Sequence, residues 1–254
     1  MDHSAPKHPK RSFRPKKLIE LALRRTPPLY RLASRVYHRL NGSFRSLSPG
    51  TPGAIHRAFE LMRERSPSGQ VGDYYEFGLF RGYAFLSAQK SCDKLGLSET
   101  RFWGFDSFAG LPPVEGVDRA EGQFFQGQFA CAQDEVVDAL TRHGMDWKRA
   151  ELIAGFFSDS LTPELKRRMA FRPAAVIVLD CDLYSSTKEA LDWVADLLGP
   201  TTVLLFDDWL SFDGAQDRGQ PLAFTEFMQQ HPGWRAEELW DFANNGRAFL
   251  LHTS

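Results

Sequence analysis

The sequence predicts an α/β fold: a mostly parallel, seven-stranded sheet with helices on both faces and an antiparallel hairpin at the C-terminal end. Strand patterns alternate with helical patterns from about residue 51 onward, which is the arrangement that produces a parallel sheet covered on both sides. The segments 174–180 and 202–206 are almost uninterrupted apolar runs, as expected of strands buried on both faces. Two final strand patterns flank Asn244-Asn245-Gly246, a sequence typical of a hairpin turn.

The individual elements are assigned in chain order from their hydrophobic periodicity. The predicted strands cover residues 71–77, 101–105, 151–154, 174–180, 202–206, 234–239 and 247–252. The predicted helices cover residues 52–64, 83–95, 134–143, 162–169, 186–198 and 222–231. Two helix starts have a local explanation: Thr162 precedes Pro163 as an N-cap, and Ser186 with Glu189 has the spacing of a capping box. The stretch 108–129 is too long for an ordinary connection, and we interpret it as a loop that covers the substrate.

Charge is divided unevenly along the 254 residues, whose net charge is −1. Residues 1–45 carry twelve lysines and arginines against two acidic residues, and the rest carries 19 basic and 30 acidic residues. We therefore predict a basic, partly disordered N-terminal arm with short amphipathic helices over residues 1–50, and one domain over residues 51–254. The arm is expected to pack on its own domain or on a second subunit, in a homodimer or higher homo-oligomer, with binding to a membrane surface as the alternative. A nucleic-acid partner is not expected, because the body that would complete its groove is acidic.

Cysteine usage and hydropathy indicate the compartment. The three cysteines, Cys92, Cys131 and Cys181, are widely spaced, which suits a reducing compartment and excludes a disulfide framework or a zinc pattern. No apolar run approaches the length of about 18 residues that a transmembrane segment needs, and the N-terminus lacks the apolar core of a signal peptide. A cytoplasmic protein without a transmembrane segment is therefore expected.

Carboxylates follow the two apolar strands of the predicted sheet centre. Asp180 ends the strand at 174, and Asp207 and Asp208 follow the strand at 202. If these strands are neighbours, three carboxylates meet and repel one another unless a cation lies among them. Ligands that are all oxygen indicate a hard divalent ion, Mg²⁺ first and Ca²⁺ or Mn²⁺ next. Capping of the following helices is the alternative role for these aspartates.

Asp182 lies two residues beyond Asp180. In an extended chain the two side chains point to the same side, so that one can hold a metal while the other faces the substrate. Asp182 is therefore the candidate general base, with helix capping or a supporting hydrogen bond as the alternative.

A glycine-containing turn follows the first strand. Glu76 is followed by Gly78 and Gly82, which permit close backbone approach and unusual φ angles. The turn does not match the dinucleotide fingerprint GxGxxG. Asp106 ends the next strand, about 30 residues further on, where folds of this kind hold the hydroxyls of a nucleoside ribose.

Four segments together resemble the macrocin O-methyltransferase family, whose members methylate sugars of antibiotics. They are YEFGLFRG at 75–82, GFDSFAGLP at 104–112, GFFSDSL at 155–161 and LDCDLYSST at 179–187, with Asp207 and Asp208 following in the expected order. The resemblance extends over roughly residues 50–252. It implies the Rossmann-like fold of class I methyltransferases and an S-adenosylmethionine cofactor. Leu183 stands where catechol-type methyltransferases carry a lysine base, which favours the sugar-type family.

The resemblance also assigns roles to individual residues. Glu76 and Gly78 would lie at the methionine end of S-adenosylmethionine, with Gly82 completing the cofactor-binding turn. Asp106 would bind the ribose hydroxyls, with Ser107 beside it. The acids would divide into a Mg²⁺ set and a base, and the methyl acceptor would be a hydroxyl of a vicinal diol on a small molecule or glycan. The metal set is Asp180, Asp207 and Asp208, and the base is Asp182.

Two other functions use part of the same pattern. A metal-dependent nucleotide-sugar glycosyltransferase also has an apolar strand that ends in Asp-x-Asp, as at Asp180 and Asp182, but it requires neither Asp207-Asp208 nor the early glycine turn. A non-catalytic binding module would keep the cofactor turn and would not need the acidic set.

Overall fold

The computed structural model describes residues 48–119 and 123–253, together with Leu29, Ala33, Val36 and Phe44. The chain divides into two compact units, residues 1–41 and 42–254. In the first unit the three described residues are helical, and the other predictions for the basic arm lie outside the described residues. The second unit contains the sheet.

Seven strands of the described chain form one sheet in the order β3-β2-β1-β4-β5-β7-β6. Strands β1 to β5 pair in parallel, whereas β7 runs antiparallel to both β5 and β6. This confirms the predicted mostly parallel, seven-stranded sheet with its C-terminal hairpin. The strands are β1 (Asp73–Phe77), β2 (Phe102–Asp106), β3 (Ala150–Ala154), β4 (Ala174–Leu179), β5 (Leu198–Phe206), β6 (Trp234–Phe242) and β7 (Gly246–Thr253).

Helices cover both faces of the sheet, because the central strands are apolar on both sides. In β4, Val176 and Val178 face one apolar cluster, and Ile177 and Leu179 face the other. Helices α1, α2 and α3 pack in the first cluster, and α5, α6 and α7 in the second. None of the helices within the described ranges has the length and apolar character needed to cross a membrane. The helices are α1 (Thr51–Arg65), α2 (Tyr83–Leu95), α3 (Gln133–Arg142), α4 (Phe157–Ser160), α5 (Pro163–Arg168), α6 (Tyr184–Val194) and α7 (Gly219–Gln230).

One of the two predicted helix caps is present. The Thr162 hydroxyl accepts the Leu165 N–H at 3.2 Å at the start of α5. The capping box of Ser186 and Glu189 is wrong, because α6 begins at Tyr184 and neither residue precedes it. The residue before α6 is Leu183, whose side chain cannot accept a hydrogen bond.

Candidate active site

A cleft of about 470 Å³ opens beyond the carboxyl ends of the parallel strands, the edge at which open α/β sheets bind ligands. Seven of the nine predicted site residues line it. Glu76 and Gly82 do not: Glu76 lies in β1 before the glycine turn, and Gly82 ends the turn just before α2. The seven are Gly78, Asp106, Ser107, Asp180, Asp182, Asp207 and Asp208.

The acidic residues meet because β4 and β5 are neighbours, with Leu179 paired to Phe206. Asp180 is half-buried, and its loss of solvation together with the charges of the surrounding carboxylates raises its pKa well above the usual value. Burial, followed by the charge of Asp207, raises the pKa of Asp208 to about 7. The Oδ2 atom of Asp208 is buried and has no hydrogen-bond partner among the described residues. These carboxylates therefore lie in an environment that disfavours their charged forms.

Asp207 is held differently from its neighbours. The Ser48 hydroxyl donates to its Oδ2 at 2.8 Å, and the Thr51 hydroxyl donates to its Oδ1 at 2.7 Å. Thr51 is buried at the first position of α1. The start of α1 is therefore joined to the end of β5 through a carboxylate, a contact between residues 156 positions apart that the sequence pattern did not indicate.

The donor set fits a hard divalent cation in its chemistry. All the donors are carboxylate oxygens, they repel one another, and one buried oxygen lacks a partner, a combination that a cation relieves. Among the described residues, no three His, Cys, Asp or Glu side chains are close enough in their present conformations to bind one metal ion together. Holding an ion would therefore require rotation of side chains within the acidic cluster.

Asp182 does not continue the extended chain of β4. Its φ angle is +62°, and the Leu183 N–H donates to the Cys181 carbonyl at 2.6 Å across it. Asp182 is thus the central residue of a γ-turn of the rare positive-φ type, a strained conformation that tends to occur at functional sites. The premise that Asp180 and Asp182 lie on one extended strand is wrong, although both side chains reach the cleft.

Gln220, which the sequence pattern did not indicate, bridges the ends of the two acid-bearing strands. Its side chain is fully buried in the first turn of α7. Oε1 accepts the backbone N–H of Asp208 at 3.0 Å, and Nε2 donates to the Leu179 carbonyl at 2.9 Å. One amide group therefore fixes the backbone of Asp208 relative to the end of β4.

Replacing Gln220 by Leu is expected to lower the free energy of unfolding by roughly 1–3 kcal/mol, because the backbone N–H of Asp208 loses its partner. The Leu179 carbonyl still accepts the Asp207 N–H, at 3.0 Å. Chemical denaturation measures the change. The matched control is Gln216→Leu: Gln216 is exposed and its amide donates to the Gly214 carbonyl, so little change is expected. Equal effects of the two substitutions would show that the buried bridge contributes no specific stability.

The glycine turn is locked to the acidic strand and to Asp106. A Cβ atom at Gly78, whose φ is +91°, would lie 1.9 Å from the Asp180 carbonyl oxygen. Oδ2 of Asp106 accepts the backbone N–H groups of Leu79 and Phe80 at 2.7 and 3.0 Å, and Oδ1 accepts that of Phe108 at 2.6 Å. Since a carboxylate offers about four acceptor directions, Asp106 retains room for about one further donor.

The remaining predicted cofactor residues support the turn. Glu76 is buried and accepts a hydrogen bond from the Tyr74 hydroxyl, and burial raises its pKa to about 8. Gly82 precedes α2 with a φ of +76°. The Ser107 hydroxyl donates to the Gly110 carbonyl at 2.7 Å and accepts the Ala109 N–H at 3.1 Å, so it stabilises the turn after β2.

The stretch that the sequence marked as a covering loop, residues 108–129, borders the cleft. Its two ends are joined by backbone hydrogen bonds between Leu111 and both Gly127 and Gln128. Phe129 has a positive φ, and its ring packs edge-on against that of Phe80, with 5.9 Å between the ring centroids. We refer to residues 108–129 as the covering loop.

Known proteins resemble this chain in sequence. The sequence model of the family described as "Macrocin-O-methyltransferase (TylF)" matches residues 57–231. The chain is 31% identical over 155 residues to a Streptomyces olivaceus protein named 8-demethyl-8-(2,3-dimethoxy-alpha-L-rhamnosyl)-tetracenomycin-C 4'-O-methyltransferase, a match covering 59% of this chain and 57% of that protein. It is 25% identical over 148 residues to the mycinamicin III 3''-O-methyltransferase of Micromonospora griseorubida, covering 56% of each. The chain thus spans little more than half the length of these curated relatives.

A solved structure resembles the chain in fold. The O-methyltransferase NovP superposes with a TM-score of 0.63 at 19% identity, over 80% of this chain and 79% of that protein. The similarity in fold agrees with the mostly parallel sheet and its C-terminal antiparallel hairpin. The glycosyltransferase alternative has no support among the relatives.

Proposed function

Because this chain belongs to the macrocin O-methyltransferase family, we propose that it transfers a methyl group from S-adenosylmethionine to a hydroxyl of a vicinal diol, on a sugar of a natural product or glycan. The observation that carries the proposal is a single cleft that joins the glycine turn at Gly78 and Asp106 to the acids at the ends of β4 and β5. The relative named for 4'-O-methylation of a rhamnosyl tetracenomycin supports a sugar acceptor.

The cofactor would lie against the glycine turn. Gly78 lets the turn pass close to the Asp180 carbonyl, and the methionine end would lie along the turn where Gly78 lines the cleft. Asp106 would accept a ribose hydroxyl with its remaining lone pair, while its other hydrogen bonds hold the turn in place. Glu76 would support the turn from its buried position in β1 rather than contact the cofactor, because it does not line the cleft.

The four aspartates of the cleft would have two roles, metal binding and proton acceptance. Asp180, Asp207 and Asp208 would hold Mg²⁺, which when bound lowers the pKa of an acceptor hydroxyl. Asp182 would accept the proton of that hydroxyl as the methyl group is transferred. The walls of the cleft would align the acceptor oxygen with the methyl group, and alignment alone is worth up to about 7–11 kcal/mol in favourable cases. The homo-oligomeric state and the cytoplasmic location stay predictions.

Titration of S-adenosylhomocysteine into the purified protein, by calorimetry, tests the proposal. We expect binding both in EDTA and with Mg²⁺, because the cofactor residues are separate from the proposed metal set. Methyl transfer to vicinal-diol glycosides should be lost in EDTA and restored by Mg²⁺. A uridine diphosphate sugar serves as the control ligand and should not bind. Binding of the nucleotide sugar without binding of S-adenosylhomocysteine would overturn the proposal in favour of a glycosyltransferase.

A further inference from the structure

The N-terminus of α6 is capped from a distant part of the chain. Asp118 lies at the end of a short 3₁₀ turn, Gly116–Asp118, within the covering loop. Its Oδ1 accepts the backbone N–H of Tyr184 at 2.6 Å, and its Oδ2 accepts that of Ser185 at 3.2 Å. The residue is 6% exposed, so these hydrogen bonds are largely shielded from water. One carboxylate thus satisfies the first two amide groups of a helix that begins 66 residues further along the chain.

This remote cap replaces a local one. The first N–H groups of a helix have no partner within the helix, and Leu183 offers no side-chain acceptor. A carboxylate is favoured at this position because it accepts charge-assisted hydrogen bonds and lies at the positive end of the helix dipole. The covering loop therefore supplies a charge that α6 lacks in its own sequence.

The capped amides lie next to the proposed base. Tyr184 is two residues from Asp182, and Asp182 is the centre of the strained γ-turn between β4 and α6. On one side the turn is fixed by the pairing of β4 in the sheet. On the other side it is fixed by the start of α6, and hence by Asp118. Loss of the cap would free the turn on that side and so alter the direction of the Asp182 side chain.

The covering loop also reaches the segment that follows the other acids. The Gln123 side-chain amide donates to the Ser211 carbonyl at 2.9 Å, and the ring of Phe124 packs edge-on against that of Phe212 at 6.1 Å. Ser211 is bonded in turn to Asp208 through its hydroxyl, at 3.0 Å. The same loop thus contacts the segments after β4 and after β5, which both carry carboxylates of the cleft.

We propose that Asp118 is a positioning residue that couples the seating of the covering loop to the orientation of Asp182. When the loop is seated over the cleft, its carboxylate fixes the start of α6 and with it the γ-turn that presents the base. The contact between Asp118 and the start of α6 would then both hold the loop over the methyl acceptor and orient Asp182 toward it. The inference rests on the proposed methyl-transfer function, since it assigns Asp118 a part in that reaction.

The test compares Asp118→Asn with the wild-type protein. Asparagine keeps the size of the side chain but removes its charge and places a donor group where one amide hydrogen bond was accepted. We expect kcat to fall by roughly 10–100-fold, the scale of a misplaced catalytic group, while the affinity for S-adenosylhomocysteine is unchanged. Hydrogen exchange at the amides of Tyr184 and Ser185 should become faster. Asp118→Glu, which keeps the charge, should recover part of kcat.

The matched control is Asp134→Asn. Asp134 is an exposed acid in the first turn of α3 whose carboxylate accepts the Glu135 N–H at 2.9 Å, and it does not line the cleft. This substitution should leave kcat unchanged. Faster amide exchange in Asp118→Asn with unchanged kcat would overturn the proposal and leave Asp118 as a helix cap only. Unchanged exchange would overturn it as well. Failure of the wild-type protein to bind S-adenosylhomocysteine or to transfer methyl groups would instead reject the proposed function.

Discussion

Replacing Asp182 by Asn is expected to lower kcat by roughly 10²–10⁴-fold, the usual contribution of a general base, without changing the affinity for S-adenosylhomocysteine. The amide cannot accept the acceptor's proton, whereas its size is that of the carboxylate. The γ-turn should persist, because Asn adopts a positive φ about as readily as Asp. Burial and the charges of Asp208 and Asp207 raise the pKa of Asp182, so the wild-type group has a greater affinity for a proton than an exposed aspartate. Steady-state kinetics and calorimetry measure the two quantities.

A second aspartate with positive φ provides the control for this substitution. Asp213 has a φ of +53° and is exposed, so Asp213→Asn makes the same chemical change in a similar backbone conformation. Its kcat should equal that of the wild-type protein. If Asp182→Asn also retained full kcat at neutral pH, Asp182 would not be the base.

Replacing Gly78 by Ala is expected to destabilise the fold by about 2–5 kcal/mol and to abolish binding of S-adenosylhomocysteine. A left-handed backbone costs a residue with a Cβ about 1–2 kcal/mol, and an overpacked contact adds about 1–3 kcal/mol. The Cβ would lie 1.9 Å from the Asp180 carbonyl oxygen. Because the backbone fixes the position of a Cβ and the carbonyl is itself backbone, a change of rotamer cannot relieve the clash. The turn would have to move away from β4. Denaturant unfolding and calorimetry give both readouts.

The substitution Gly144→Ala measures the cost of the left-handed backbone without the cost of the close contact with Asp180. Gly144 has a φ of +90°, close to the +91° of Gly78, and a Cβ there would meet nothing within 4 Å. Its cost should therefore stay near the 1–2 kcal/mol of the backbone conformation alone, with cofactor binding intact. Equal losses of stability at the two positions would show that the approach to Asp180 is accommodated without strain.

The sequence was sufficient to predict the sheet and most of the cleft because both follow from one regular rule. Parallel strands end at the same edge, so acids placed directly after apolar strands are brought together once the strand order is fixed. Asp106, Asp180 and Asp207 all follow this rule. The bounds of α2 agree residue for residue with the prediction from periodicity.

The residues that the sequence did not predict each form hydrogen bonds to a segment distant in the chain. Gln220, Thr51 and Asp118 hold their partners across 12 to 156 positions, with no repeating spacing to reveal them. Two predictions made from local sequence patterns were wrong. The capping box at Ser186 was displaced by the carboxylate of Asp118, and the rule for extended chains failed at Asp182 because the chain folds into a tight turn there.

The pairing of β1 with β4 has a consequence for the order in which the molecule is built. Phe77 is paired with Leu179, and Gly78 lies against the Asp180 carbonyl, so the glycine turn is completed by residues about a hundred positions later in the chain. Contacts of such long sequence separation form slowly, because the intervening chain must be ordered before they contribute. A growing polypeptide that ends before β4 therefore lacks the complete turn against which we propose the cofactor binds. On that proposal, the cofactor would stabilise the finished sheet but would not serve as a template for its first strands.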